Sequence, residues 1–287
     1  MYAGENRLSV VILTFNRREE LRRTLERMTM LPEQPPIIIV DNASTDGTAE
    51  MVRSDFRQVS FLASPDNVGG AARNLGVQEA RTPYVAFCDD DSWWAPGSLQ
   101  AAADLLDAHP SMAAVCARIL LGPEEREDPI CSMMASSPLP AAGLPGPALL
   151  GFVACAVVFR RQTYLDAGGY EQRFFVGGEE SLLTLDLVNA GWDLVYAPQL
   201  LVHHYPSPQR DRKDRHRIVA RNAIWVAWLR LPALTALRET WRMLRYAAKH
   251  GVFAATVRSV LRELPWLAST RRVVSPRVHA WYRMLNP

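Results

Sequence analysis

Strand-like and helix-like segments alternate through the first part of the chain, and this alternation narrows the fold more than any other feature. The runs "LSVVILTF" (8–15), "PIIIVDN" (36–42), "VSFLAS" (59–64) and "PYVAFC" (83–88) are short and rich in branched or aromatic residues, as buried strands are. Between them, "NRREELRRTLERM" sets Leu21, Leu25 and Met28 at helical spacing. "STDGTAEMVRSD" opens a helix that Ser44 or Thr45 can cap, and "GGAARNLGVQEA" (69–80) reads as a third helix. This repetition predicts a parallel sheet with helices on both faces. Ligands of such sheets bind beyond the carboxyl ends of the strands. Asp41 stands at the end of the second run, and Asp89, Asp90 and Asp91 follow the fourth.

Three adjacent carboxylates repel one another, and burying them without partners is costly. A divalent cation between Asp89, Asp91 and a substrate phosphate would relieve the repulsion. Hard oxygen ligands suit Mg²⁺ or Mn²⁺. On its own the triplet fits a solvated acidic turn equally well. Further on, a helix (96–110) precedes a strand, "AAVCARILL". Residues 122–147 are rich in Pro, Gly, Ser and Met and read as a loop or flap. The strand "GFVACAVVFRR" follows, then a helix from about Glu179 and a last strand into His203 and His204.

Charge divides the chain. Residues 1–206 hold 15 Arg against 26 Asp and Glu, a net of −11, whereas residues 207–287 hold 17 Lys and Arg against 4 acids, a net of +13. This predicts one domain over 1–206 and a basic helical region over 207–287. The basic region carries Trp225, Trp228, Trp241, Trp266 and Trp281. It reads either as an appendage with its Arg face in water, or as an amphipathic face on an anionic membrane through residues 210–287. No nucleic-acid module is present, and the acidic 1–206 argues against such a partner. "ALLGFVACAVVF" (148–159) is too short to span a bilayer. The run Ile218–Leu237 carries Arg221, Asn222, Arg230 and Pro232 and reads as amphipathic. The opening "MYAGENRLSVVILTF" does not read as a signal peptide. Cys88, Cys116, Cys131 and Cys155 show neither CxxC nor zinc spacing. Buried, reduced thiols and a cytoplasmic location, with the inner face of a membrane as a candidate contact, are expected.

Five blocks occur in order: "VVILTFNRREEL", "IIIVDNASTDGT", "NVGGAARNLGV", "VAFCDDDSWWAPGSL" and "GGYEQRFFVGGEESLLTLDLVNAGW". Together they make residues 7–206 resemble the family 2 glycosyltransferases; the C-terminal part is similar only loosely, through "RNAIWVAWLRLP". The resemblance implies an α/β GT-A fold, a Rossmann-like, mostly parallel sheet sandwiched by helices, with a helical C-terminal appendage.

It also implies roles. Thr14 and Asn16 would line the nucleotide base pocket. Asp41 would accept a hydrogen bond from a pyrimidine N3–H, favouring UDP or dTDP. Asn67, Gly70 and Asn74 would approach the nucleotide, with Arg73 either a diphosphate contact or a surface residue. Asp91 would bind the metal, Asp89 and Asp90 would hold ribose or sugar hydroxyls, and His203 or His204 would be a further ligand. Glu180 stands where the family usually has its base, but Glu replaces the commoner Asp, so Glu179 stays a candidate. Both sit at a helix N-terminus, where ionisation is favoured. Trp93 and Trp94 read as a sugar or acceptor platform or as core. The implied reaction is a metal-dependent in-line displacement with inversion, from a nucleotide sugar to a saccharide, lipid-linked or other hydroxyl acceptor, in cell-surface glycan or glycolipid assembly. A nucleotidyltransferase usually opens with a "GGxGTR"-type loop where this chain reads "TFNRREE". A non-catalytic nucleotide-sugar-binding scaffold fits poorly with intact Asp41, Asp91 and Glu180.

Overall fold

The computed structural model describes residues 6–206 and 214–286. Its first half follows the expected alternation: β1 (Leu8–Thr14), α1 (Arg18–Met28), β2 (Ile37–Asp41), α2 (Thr48–Asp55), β3 (Ser60–Ala63), α3 (Arg73–Glu79) and β4 (Tyr84–Asp89). The strands are parallel in the order β3-β2-β1-β4. β2 is buried throughout, as a strand covered on both faces must be. The segment 69–80 begins as a 3₁₀ turn over Gly69–Ala72 before α3. Neither Ser44 nor Thr45 caps α2. The Ser44 hydroxyl accepts from the Asn16 backbone N–H, and the Thr45 backbone N–H donates to the Asn16 side chain, each at 2.8 Å. The helix starts behind Gly47, in the left-handed region, with Asp46 accepting from the Thr48 N–H at 3.1 Å.

The second half adds β5 (Ser92–Trp94), α4 (Ser98–Ala108), β6 (Met112–Leu121), β7 (Arg126–Glu127), α5 (Pro129–Ala135), β8 (Val157–Arg160), α6 (Arg161–Asp166), α7 (Glu179–Asn189) and β9 (Asp193–His204). The sheet continues β4-β8-β6-β9-β5, with β7 paired to β6. β8 runs antiparallel to both neighbours, β9 is parallel to β6, and β5 is antiparallel to β9. The sheet is therefore mixed. Residues 122–147 are not one irregular flap, because β7 and α5 lie within them. Asp128 caps α5, accepting from the Ile130 N–H at 2.9 Å, and Cys131 is buried. All four cysteines are free and buried, and burial pushes the Cys88 and Cys116 thiols up.

Five helices close the chain: α8 (Arg215–Arg230), α9 (Ala233–Lys249), α10 (Phe253–Arg262), α11 (Leu264–Thr270) and α12 (Pro276–Leu285). α8 departs from the amphipathic expectation. Asn222, Ile224, Trp225, Val226, Ala227, Leu229 and Arg230 are all buried along it. It lies between the sheet-bearing part and the outer helices. Arg230 can be buried because it pairs with Asp186 on α7 at 2.9 Å. Trp225, Leu229, Leu267, Val274 and Val278 share one hydrophobic core with the sheet. The charge boundary near residue 207 marks a change of surface, while the core runs across it. Among the described residues, no helix is long and apolar enough to cross a membrane.

Candidate active site

The strand register assembles the site. Thr14 lies beside Asp41 across β1–β2, and Leu13 lies beside Asp89 across β1–β4. β5 then pairs Ser92 with His204 on β9. The carboxyl ends of β1, β2, β4 and β9 thus converge, and the triplet of acids lies among them.

The triplet divides by its neighbours. Asp90 is buried and turns towards β1 and α1. It accepts from the Thr14 hydroxyl at 3.0 Å and from Arg17 at 3.0 Å, and its backbone carbonyl accepts from the Thr24 hydroxyl at 2.8 Å. Burial pushes its carboxyl up to about 7, with Asp91 and Asp89 adding to the rise and Arg17 opposing it. Arg17 also reaches Asp91 at 3.3 Å. Asp89 and Asp91 have a further neighbour in His204. With His204 they offer ligand atoms that all lie within 4.8 Å of one another. His204 Nε2 is 3.3 Å from Asp91 Oδ1. Two carboxylate oxygens and an imidazole nitrogen form a donor set that suits a divalent cation.

Alternation along β9 decides between the histidines, because successive side chains face opposite ways. His203 stacks on Trp93, centroids 5.5 Å apart, with its Nδ1 3.1 Å from Glu125. It stands outside the cluster. The two tryptophans are packing residues rather than a platform. Trp94 is fully buried and donates from its indole to the Phe87 carbonyl at 3.1 Å. Trp93 is buried beneath the Arg27 guanidinium, 4.3 Å from its ring.

Arg73 is no surface helix residue. It is buried, pairs with Asp89, and lies 5.7 Å above the Phe87 ring. Burial opposes its charge, but Asp89 and more distant acids outweigh that and raise its pKa. Arg73 thus neutralises the acid that a cation would otherwise meet alone.

The acid pair begins α7 as expected. Gly178, at φ 100°, makes the left-handed turn into the helix. Glu179 is buried against Gly70, where a Cβ would sit 2.6 Å from Glu179 Oε1. A larger residue there would push the Glu179 carboxylate aside. The Gly70 N–H donates to the Phe175 carbonyl at 2.6 Å, tying the two loops together. Glu180, partly buried, has its carboxyl pushed up to about 7 by burial and by Glu179. Backbone hydrogen bonds at the helix start pull it down but do not prevail, so the expectation of a readily ionised carboxylate is corrected. A carboxyl poised near neutrality is well matched to general-base work.

Other expected donor contacts are already engaged in part. Asn74 accepts from the Tyr164 hydroxyl at 2.6 Å and the Tyr170 N–H at 3.0 Å, and donates to the Tyr170 carbonyl at 2.8 Å. It pins the chain after α6. Asn67 accepts from the Gly69 N–H at 3.0 Å. Asp41 is buried and accepts the Ser44 N–H at 3.2 and 3.3 Å on its two oxygens, leaving lone pairs for another donor.

Three residues escaped the sequence reading. Arg17 stood in "TFNRREE", and a cation at the exit of β1 could have been matched to the acids at the exit of β4. Asn42 follows Asp41 and accepts from the Val68 N–H at 2.9 Å while donating to the Gly69 carbonyl at 3.0 Å. Asn222, in "RNAIWVAWLRLP", directs its amide to the carbonyls of Phe174 at 3.0 Å, Val176 at 3.1 Å and Gly177. It thereby holds the loop that carries Glu179 and Glu180. Beside that loop lies a cavity of about 370 Å³ lined by Gly177, Gly178 and Ser181, by Val219 and Val226 of α8, and by Tyr282 of α12.

Residues 9–165 match the family described as "Glycosyl transferase family 2". The chain belongs to this family. Proteins of known name are similar over most of its length. The N-acetylglucosaminyl-diphospho-decaprenol L-rhamnosyltransferase of Mycobacterium tuberculosis is 26% identical over 276 residues, covering 80% of this chain and 89% of that protein. Among solved structures, the mannosyltransferase PcManGT of Pyrobaculum calidifontis, in complex with GDP-Man and Mn²⁺, matches 99% of this chain and 87% of its own at TM-score 0.59 and 18% identity. GalNAc-T7 with UDP, GalNAc and Mn²⁺ matches 91% of this chain and 57% of its own at TM-score 0.61 and 12% identity. These likenesses establish the GT-A fold, and membership of the family makes the chain a glycosyltransferase.

Proposed function

We propose that the chain is a metal-dependent inverting glycosyltransferase. It moves a sugar from a UDP or dTDP donor to a hydroxyl of a lipid-linked saccharide, in glycan or glycolipid assembly at the cytoplasmic face of a membrane. The observation that carries this reading is the cluster of Asp89, Asp91 and His204 within 4.8 Å at the strand ends beside Asp41. Mn²⁺ or Mg²⁺ there would offset charge developing on the departing nucleoside diphosphate. Mn²⁺ tolerates the imidazole better than Mg²⁺, which prefers oxygen.

The chain's own groups do the rest. Asp41 receives the pyrimidine N3–H through its remaining lone pairs. Thr14 and Asp90 form the wall next to it, and Arg17 keeps that wall from being wholly acidic. Arg73 holds Asp89 in place. Glu180 takes the proton from the acceptor hydroxyl as that oxygen attacks the anomeric carbon from the face opposite the nucleotide. A lipid-linked acceptor is supported by the printed name of the mycobacterial relative, which includes a diphospho-decaprenol.

A thermal-shift screen of nucleotide sugars with and without Mn²⁺ tests the donor side. A ligand at about one hundred times its Kd stabilises by ~2.7 kcal/mol, so a true donor stands out. Silence from every UDP and dTDP sugar removes the donor assignment. Glu180→Gln should bind the donor normally and lose transfer; near-normal turnover would move the base elsewhere.

A further inference from the structure

We propose that the outer surface of α9 and α10 docks on an anionic lipid bilayer. α9 buries Ala236, Met243 and Ala247 on its inner side. On the other side, Leu234, Leu237 and Trp241 are 62%, 55% and 66% exposed. A helix whose solvent side is apolar needs an occupant, since monomeric proteins rarely leave such patches in water. Arg238, Arg245 and Lys249 are also exposed, along the edge of this stripe. α10 repeats the pattern. Phe253 and Leu261 are 47% and 56% exposed, Val257 lies between them at helical spacing, and Arg258 and Arg262 form the exposed edge.

The two helices adjoin. Leu244 of α9 and Val252 and Val260 at α10 pack on one small cluster with Met243 and Ala247. The two helices that carry the exposed stripes thus pack on one cluster, and each stripe has a basic edge. Over residues 233–262 there are six Lys and Arg and one acid, Glu239. Glu239 is occupied by Arg242 at 2.6 Å. Among the described residues, no carboxylate pairs with Arg238, Arg245, Arg258 or Arg262. An apolar strip with cationic margins and no spanning helix is complementary to the headgroup region of an anionic leaflet. A protein partner would have to supply both an apolar strip and a surplus of acids. The purpose of docking rests on the lipid-linked acceptor reading, whereas the surface chemistry does not.

The test is co-sedimentation of the full chain with phosphatidylcholine vesicles, with or without phosphatidylglycerol, alongside sedimentation velocity of the protein alone. The wild type should pellet with the anionic vesicles only and be released by salt. The double variant Leu237→Glu/Trp241→Glu and the double variant Arg238→Glu/Arg245→Glu should each lose roughly tenfold or more in apparent affinity. Both should keep the wild-type circular dichroism and donor-induced thermal shift, and Trp241→Phe should restore pelleting. Absence of pelleting, equal pelleting on neutral vesicles, or double variants that pellet like the wild type would overturn the proposal. So would a dimer in solution that Leu237→Glu/Trp241→Glu dissolves, because a second copy would then cover the strip. Glu180→Gln should pellet normally. Pelleting without any donor binding would sink the transferase reading and leave docking intact; donor binding without pelleting would do the reverse.

Discussion

Replacing Glu179 by Gln should move the acid side of the pH–rate profile. Glu180 titrates near 7 instead of 4.5, with burial the larger cause and Glu179 the next. A neighbouring carboxylate disfavours ionisation of its partner, on top of the effect of burial. Glu179→Gln keeps the shape that fits against Gly70 and removes the charge. The Glu180 pKa should then fall by about one unit, equivalent to ~1.4 kcal/mol. The sign follows directly: a protonated Glu180 cannot accept the acceptor's proton, so the rate falls as pH drops through its pKa. At pH of about 6, the ionised fraction would rise from roughly one-tenth to roughly one-half, and kcat would rise by up to about fivefold. At pH of about 8, the rate should barely change. The assay is initial rate against pH at saturating donor and acceptor. An acid limb that stays put or moves upward would refute the coupling. A loss of about a hundredfold or more at pH 8 would show that Glu179 is itself the base.

Three further outcomes test the remaining assignments. By calorimetry, Asp91→Ala and His204→Ala should each weaken Mn²⁺-dependent nucleotide binding by at least about tenfold, whereas His203→Ala should not; a larger loss in His203→Ala would reverse the histidine assignment. Asn222→Ala strips the shared donor from the loop carbonyls in a buried site and should cost about 2 kcal/mol of stability. It should also lower kcat while leaving the donor Kd unchanged, since its loop carries the acid pair and not the nucleotide contacts; a weakened donor Kd with unchanged kcat would count against that role. Trp94→Ala should destabilise by about 3–5 kcal/mol, measured by denaturant unfolding, and a loss under about 1 kcal/mol would show that the ring is not a core element.

The first four strands were legible because each is an apolar run ended by a polar residue, and nothing distant changes that signal. Their termini also carry Asp41, Asp89 and Asp91, and the structure brings the last two together with His204. The histidine could not be chosen beforehand. Adjacent residues on a strand differ only in direction, and direction depends on the register of β9 against β5. The tryptophans were ambiguous for a related reason: "SWW" has the same composition whether its rings face a ligand or Arg27 and Phe87. Asn74 has contacts that its motif does not foretell. Its motif pointed to the nucleotide, but Tyr164 and Tyr170, about ninety residues later, take up its amide. α8 misled because its arginines suggest an exposed face, yet Arg230 is neutralised by Asp186 and the Asn222 amide donates to main-chain carbonyls. A polar residue in a helical pattern does not reveal whether water or a buried partner satisfies it.

The clasp of Asn222 on the loop at Phe174–Gly177 also orders events in the life of the chain. A ribosome releases the acids of β4, then Glu179 and Glu180, and only afterwards the helix that holds them. Val278, in the last helix, still belongs to the same core. A nascent or clipped chain ending near residue 206 would hold both acid clusters and lack the Asn222 contacts that fix the loop before Glu179. Competence would arrive late in synthesis, when the basic end of the chain folds back onto the acidic one.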